Sequence, residues 1–309
     1  MSNATLAASR PDLTYTPDYV HYTEPGFAAE FRADLARTSP LQQRWPTGRT
    51  VLRYDARAFD FRRIVGDTLA AAGLLDRRAL TARGDRLEIL HELIAPEHQQ
   101  MDVSQQSGAA RALYEMPAAF HALYRRLLDE VVGPRLGLGP VHFQLVPTFR
   151  VFFPRAPGYP GATSFHTDLM IGHNPREVNV FVPLVQCEAT RSLLLADLDE
   201  SLDLLRPYDH DFARFGRDTQ QDPGLIARCE RICRPLEVGV GDVVVFDPRC
   251  LHAGPANRTD LTRVTFDARV LPAADFRGQQ NRYRGLGRRR ASFVPGEYFS
   301  AETTTGPTP

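Results

Sequence analysis

Near residue 141 the hydrophobic pattern changes period, and that change limits the possible folds more than any other feature of the chain. Upstream, Phe61, Ile64, Val65, Leu69 and Ala72 recur at the i, i+3, i+4 spacing of one helical face. Leu113, Met116, Phe120, Leu123, Tyr124, Leu127 and Val131 do the same over a longer span, which Gly133-Pro134 is expected to end. Downstream the side chains alternate. His142 to Phe153 reads as one or two strands, interrupted or edged at Pro147, and Val178 to Leu184 as another. A short strand is expected between Ser192 and Leu195. The turn Gly239-Val240-Gly241-Asp242 precedes a compact strand at Val243 to Phe246, and Thr262 to Leu271 closes the series. Short strands with turn signals and no intervening helices argue for an antiparallel double-sheet roll and not a parallel sheet. The expected fold class is α+β: a double-stranded β-helix (jelly-roll, cupin-like) core with N-terminal helices packed on one sheet.

This reading divides the chain into an irregular N-terminal arm (1–55), a helical region packed on the roll (56–138), the jelly-roll core (139–275) and an arginine-rich tail (276–309). Within the core, residues 199–234 are polar and partly helical. An insertion there is expected to lie over the mouth of the roll and shape what enters.

Composition removes several function classes. The 309 residues carry a formal net charge of zero, so nothing in the charge balance favours nucleic acid or an anionic membrane. All 37 basic residues are arginine, which reads as coding bias. The tail arginines Arg277, Arg282, Arg284, Arg288, Arg289 and Arg290 read as a solvated or self-docked segment. With no basic-then-apolar leader and no run long enough to span a bilayer, a soluble cytoplasmic protein is expected. The four cysteines (Cys187, Cys229, Cys233 and Cys250) lack zinc-site spacing and read as reduced thiols.

The chemistry gathers at His166-Thr167-Asp168. On a strand, residues two apart share a face, so the imidazole and the carboxylate can reach one metal ion. A second histidine, His252, follows a separate buried strand, and Arg263 comes eleven residues later on the next one. Two histidines and a carboxylate leave open positions on Fe(II), the ligand set of non-haem oxygenases. A bidentate 2-oxo acid needs its far carboxylate fixed, and the planar fork of an arginine does this best. Arg263 is the first choice for that clamp, with Arg269 as a second. Asn179 and Gln144 are further candidates for holding the co-substrate, and Arg150 and His173 for touching the substrate.

These residues resemble the Fe(II)/2-oxoglutarate-dependent dioxygenases of the phytanoyl-CoA hydroxylase-like superfamily, in particular its bacterial antibiotic-biosynthesis branch of StrG type. The resemblance rests on His166, Asp168, His252 and Arg263, the Gly241-Asp242 turn and Val178 to Leu184, and covers about residues 140–272. It implies a jelly roll with iron at its mouth, held by His166, Asp168 and His252. It also implies oxidation of a small molecule by dioxygen, with 2-oxoglutarate converted to succinate and CO2. Halogenating relatives leave the carboxylate position empty, whereas Asp168 fills it, so hydroxylation or another C–H oxidation is implied. Two alternatives stay open: a cupin-like metalloenzyme that does not use 2-oxoglutarate, and a non-catalytic jelly-roll binding protein. Substrate identity and oligomeric state stay open as well.

Overall fold

The computed structural model describes residue 33 and residues 35–101, 106–155, 165–171, 173–209, 211–278, 296 and 298–304. Most of the N-terminal arm, the Gly/Pro-rich turn before His166 and the tail arginines beyond Gly278 lie outside the described residues. Within them the strands are β1 (Arg49–Arg53), β2 (Val141–Phe143), β3 (Thr148–Phe152), β4 (Val178–Pro183), β5 (Leu194–Leu195), β6 (Arg234–Pro235), β7 (Asp242–Phe246), β8 (His252–Ala253) and β9 (Arg263–Pro272). The larger sheet has the order β1-β7-β4-β9-β2, with β3 sharing the β9 edge, and the smaller one the order β6-β5-β8. Every pairing is antiparallel. The α+β jelly-roll expectation holds.

Strand β9 organises the molecule. It pairs with β4 along one edge and with β2 and β3 along the other. Its alternation separates two chemistries. Val264, Phe266, Ala268 and Val270 are fully buried. On that side the Phe266 ring meets Phe61 at 5.1 Å and Phe120 at 5.5 Å, in edge-on geometry. Those rings belong to α1 (Phe61–Ala71) and α2 (Ala118–Leu127), whose apolar stripes cover the sheet. Each buried aromatic contributes about 1.5–3 kcal/mol. Arg263, Thr265, Asp267 and Arg269 point the other way, into the roll.

Two expectations are corrected. The chain does not leave the helical path at Gly133-Pro134. After α2 a π-type turn spans Leu128–Val132, and helix resumes over Gly133–Leu136, ending at Gly137 with φ +61°. Pro134 falls in the first turn of the resumed segment, where a missing N–H is tolerated. The arm is also not irregular through residue 55. It holds a helical turn at Pro40–Arg44 and then β1, the edge strand of the larger sheet. Five residues with an arginine at each end show little period, but the polar backbone edge of β7 needs a partner, and β1 supplies it.

The entry to β1 is tightly fixed. Gly48 adopts φ +70°, and a Cβ there would stand 2.6 Å from Leu198 Cβ. Gly48→Ala is therefore expected to destabilise the fold by more than about 1 kcal/mol, through strain and overlap together. Urea unfolding checks this; an unchanged midpoint would mean that the approach relaxes freely.

The insertion is more helical than its sequence suggests. It forms α3 (Leu198–Leu205), α4 (Phe212–Gln221) and α5 (Pro223–Ile232). Leu204, Leu205, Phe212, Phe215 and Leu225 join Phe165, Leu169, Met170, Leu251 and Ala253 in an apolar cluster separate from the main core. The insertion thus packs on both segments that carry the His-x-Asp and His252 positions. At the other end, Ser300 donates its N–H to the Phe143 carbonyl (2.8 Å) and Thr304 to that of Val141 (2.9 Å), so the C-terminal segment runs along β2.

Candidate metal centre

His166 and His252 face one another across an antiparallel bridge. Each backbone N–H donates to the other's carbonyl, at 3.0 and 2.9 Å, and the ring centroids stand 4.3 Å apart. Asp168 donates its N–H to the Pro248 carbonyl (3.0 Å) and opens a 3-10 turn, Asp168–Ile171. The motif therefore lies half on a bridge and half on a turn, not on one regular strand. Its side chains still converge: one ligand atom each from His166, Asp168 and His252 lies within 4.8 Å of the others.

The surroundings fix how each atom is presented. His252 Nδ1 lies 3.0 Å from the Cys250 carbonyl, an acceptor, so it carries the proton and Nε2 keeps its lone pair. Nε2 is 3.6 Å from Asp168 Oδ1. Burial pulls the pKa of His252 down, against the opposing pull of Asp168, and this favours the neutral ring. Burial alone would raise the Asp168 carboxyl. Arg269, followed by His173, His252 and His166, outweighs it and holds the group well below the usual carboxylate range. Arg269 donates Nε (3.3 Å) and Nη2 (3.0 Å) to Asp168 Oδ2. Asp168 Oδ1 is buried and has no hydrogen-bond partner among the described residues. An anionic oxygen left that way is costly unless a cation faces it. Two imidazoles and this oxygen fit a divalent ion with open positions, and suit Fe(II).

Arg263 differs from Arg269. It is 2% exposed, its guanidinium sits over the Phe152 ring (5.0 Å) and the Phe181 ring (5.5 Å), and Nη1 donates to the Ser192 carbonyl at 2.9 Å. Its Nε has no partner, and no carboxylate pairs with it among the described residues. Burial pulls its pKa down to about 10. A desolvated guanidinium lacking a counter-ion is a receptor for a carboxylate. Arg269 has no such capacity: its third nitrogen, Nη1, donates to Asp267 Oδ2 at 2.5 Å. The structure thus commits Arg269 to Asp168 and Asp267.

The remaining candidates divide. Asn179 lies in register with Arg269 on β9 and Phe246 on β7, is 2% exposed, and among the described residues has no hydrogen-bond partner on either amide atom. Thr265 Oγ1 is also buried without one. Arg150 lies on the same inner side and donates Nε to Asp267 Oδ1 (3.4 Å). Gln144 is used elsewhere. Its Nε2 donates to the Val146 carbonyl (2.7 Å) and its Oε1 accepts from Tyr298 (2.9 Å), which ties it to the C-terminal segment. His173 is fully buried, with Nδ1 2.8 Å from Glu177 Oε2, so it does not face an opening. Sequence reasoning missed Asp267 as a member of the site. It alternates with three named residues on β9, but its partners depend on the β3–β9 register.

The model of the phytanoyl-CoA dioxygenase (PhyH) family matches residues 202–265, a segment that contains His252 and Arg263. The streptomycin biosynthesis protein StrG of Streptomyces griseus is 25% identical over 199 residues, 64% of this chain and 78% of that protein. Among solved structures, the non-heme alpha-ketoglutarate-dependent carbocyclase SnoK from nogalamycin biosynthesis superposes with a TM-score of 0.46 at 15% identity, covering 94% of this chain and 100% of SnoK. EctD from S. alaskensis, with 2-oxoglutarate and 5-hydroxyectoine, gives a TM-score of 0.45 at 15% identity, with 86% of this chain and 81% of EctD covered. Both superpositions are loose, and the relationship rests on the family match and StrG, together with the geometry above. Over residues 202–265 the chain is similar to the phytanoyl-CoA dioxygenase family, and over a longer stretch to StrG.

Proposed function

We propose that this protein is an Fe(II)- and 2-oxoglutarate-dependent oxygenase that hydroxylates, or otherwise oxidises at a C–H bond, a small molecule of natural-product biosynthesis. One observation carries the reading. Among the described residues the roll holds both a His166–Asp168–His252 candidate donor set with a buried, unpartnered carboxylate oxygen and a buried Arg263 without a counter-ion. A cupin-like metalloenzyme that uses no 2-oxo acid would need the first but not the second. The likeness to StrG supports the biosynthetic setting.

Iron with 2-oxoglutarate would supply activation of dioxygen, with succinate and CO2 as co-products. The protein's part is positioning. His252 is held by the Cys250 carbonyl, so Nε2 faces the metal position. Arg269 occupies Asp168 Oδ2, so Oδ1 is the oxygen presented. Arg263 would bind the far carboxylate of the co-substrate between Phe152 and Phe181, which exclude water and strengthen the ion pair. Asn179 and Thr265 offer unsatisfied donors and acceptors on the same inner face. Because Asp168 fills the carboxylate position, oxidation is favoured over halide transfer.

The test is anaerobic titration of the metal-free protein with Fe(II) and 2-oxoglutarate, following the weak visible band of the chelate. The band is expected with the wild type, and in Asp168→Ala the iron affinity should fall by roughly 10- to 100-fold or more. Iron binding without a band in the wild type would favour the cupin-like alternative, and an unchanged iron affinity in Asp168→Ala would remove that residue from the ligand set.

A further inference from the structure

We propose that Asp267 is a positioning residue for the metal centre: by holding Arg269 it keeps Asp168 turned so that a single oxygen, Oδ1, is presented to the ion. The inference rests on the reading of Asp168 as an iron ligand. Four charged side chains of alternating sign run along the inner side of the roll. Arg150 Nε stands 3.4 Å from Asp267 Oδ1, Asp267 Oδ2 stands 2.5 Å from Arg269 Nη1, and Arg269 Nη2 stands 3.0 Å from Asp168 Oδ2. Thr148 is the register partner of Asp267 and Arg150 that of Thr265, so the β3–β9 pairing brings Arg150 diagonally beside Asp267.

The order of these charges matters. Arg269 is 5% exposed and Asp168 fully buried, so their attraction is strong and short of solvent screening. A guanidinium fixed only by its carboxylate partner could rotate about its long stem, and the carboxylate would turn with it. Asp267 occupies the third nitrogen and removes that freedom, which makes the fork rigid at both ends. It also separates two cations, Arg150 and Arg269, that would otherwise repel across neighbouring strands. With Asp267 neutral, Arg269 is expected to shift toward Asp168, and Oδ1 loses its fixed direction.

The experiment uses the full-length, metal-free protein and Co(II), whose visible absorption reports the number and arrangement of ligands. Wild type and Asp267→Asn, Asp267→Glu and Phe266→Leu variants are compared by Co(II) titration. Phe266→Leu loosens the helix-facing side of the same strand without touching the charged row. Asp267→Asn is expected to weaken Co(II) binding by roughly 10- to 100-fold and to change the shape and intensity of the absorption. Asp267→Glu, which keeps the charge, is expected to restore most of the affinity with a smaller spectral change in the same direction. Phe266→Leu should leave the spectrum as it is, although its stability falls. If Asp267→Asn does not fold, Asp267→Glu decides, and a wild-type spectrum there overturns the proposal. A wild-type spectrum with affinity within about twofold in folded Asp267→Asn overturns it as well. Failure of the wild type to bind Co(II) would overturn the oxygenase reading and this inference with it.

Discussion

Replacing Arg263 by glutamine is expected to raise the 2-oxoglutarate concentration needed for half-maximal chelate formation by roughly 10- to 150-fold, the equivalent of about 1.5–3 kcal/mol for hydrogen bonds to a charged group. The same substitution should leave the metal-free protein as stable as before, or more stable. Both effects come from one observation. Arg263 is buried between Phe152 and Phe181, has no carboxylate partner among the described residues, and has its pKa pulled down to about 10 by burial. Folding therefore bears much of the desolvation of this charge, which the two rings and the Ser192 carbonyl offset in part and a bound anion would offset further. The depressed value still lies above neutrality, so the group stays charged between pH 6 and 9 and its cost is constant there. Chelate titration and urea unfolding of the metal-free pair check the two signs. A loss of stability with an unchanged 2-oxoglutarate requirement would mark Arg263 as a structural residue and move the clamp elsewhere.

Replacing Arg269 by leucine has the opposite character. It strips the buried Asp168 of its cationic partner and is expected to cost about 3–5 kcal/mol in the metal-free protein, with a further loss of iron affinity. The pH dependence follows from the direction of the shift. In the wild type the Asp168 carboxyl is held well below its ordinary value. Its contribution is therefore present above the unfolded-state value and is lost only as pH falls through the folded one. In the variant, burial is opposed only by the neighbouring histidines and the carboxyl lies higher than in the wild type, so that protein loses less on acidification. The stability gap between the two is expected to be widest at pH 8 and to narrow on acidification. Urea midpoints at pH 8 and at mildly acidic pH test it; coincident midpoints at pH 8 would show that Asp168 does not need Arg269.

What the sequence could reveal follows the range over which each feature is encoded. The β4 and β9 strands were legible because Val178 to Leu184 and Thr262 to Leu271 alternate locally, and the donor set because His166 and Asp168 lie two residues apart. β1 was not, because its identity as a strand comes from the open edge of β7 and not from its own five residues. Gln144 looked like a pocket residue because its partner, Tyr298, is 154 positions away. Arg269 looked like a second clamp because its face was clear, whereas its bonds to Asp168 and Asp267 depend on where a turn and a neighbouring register place those carboxylates. Local periodicity gives the direction of a side chain; its partner is a tertiary property.

The separate apolar cluster beneath the insertion has a consequence for how the protein comes apart. Phe165 and Leu169 bracket the first two candidate donors, Leu251 precedes the third, and all three pack with Phe212, Phe215 and Leu225 of the insertion and not with the main core. Cooperative units of a protein open with their own free energies, and a small one opens first. The donors would therefore be lost by a partial opening in which α4 and α5 lift away while the large sheet, capped by α1 and α2, stays intact. A bound ion would stabilise the closed form of that unit by an amount that grows with the logarithm of the ion concentration above its dissociation constant. The resistance of α4 and α5 to proteolysis would then report metal loading, whereas unfolding of the sheet from the already opened state would not.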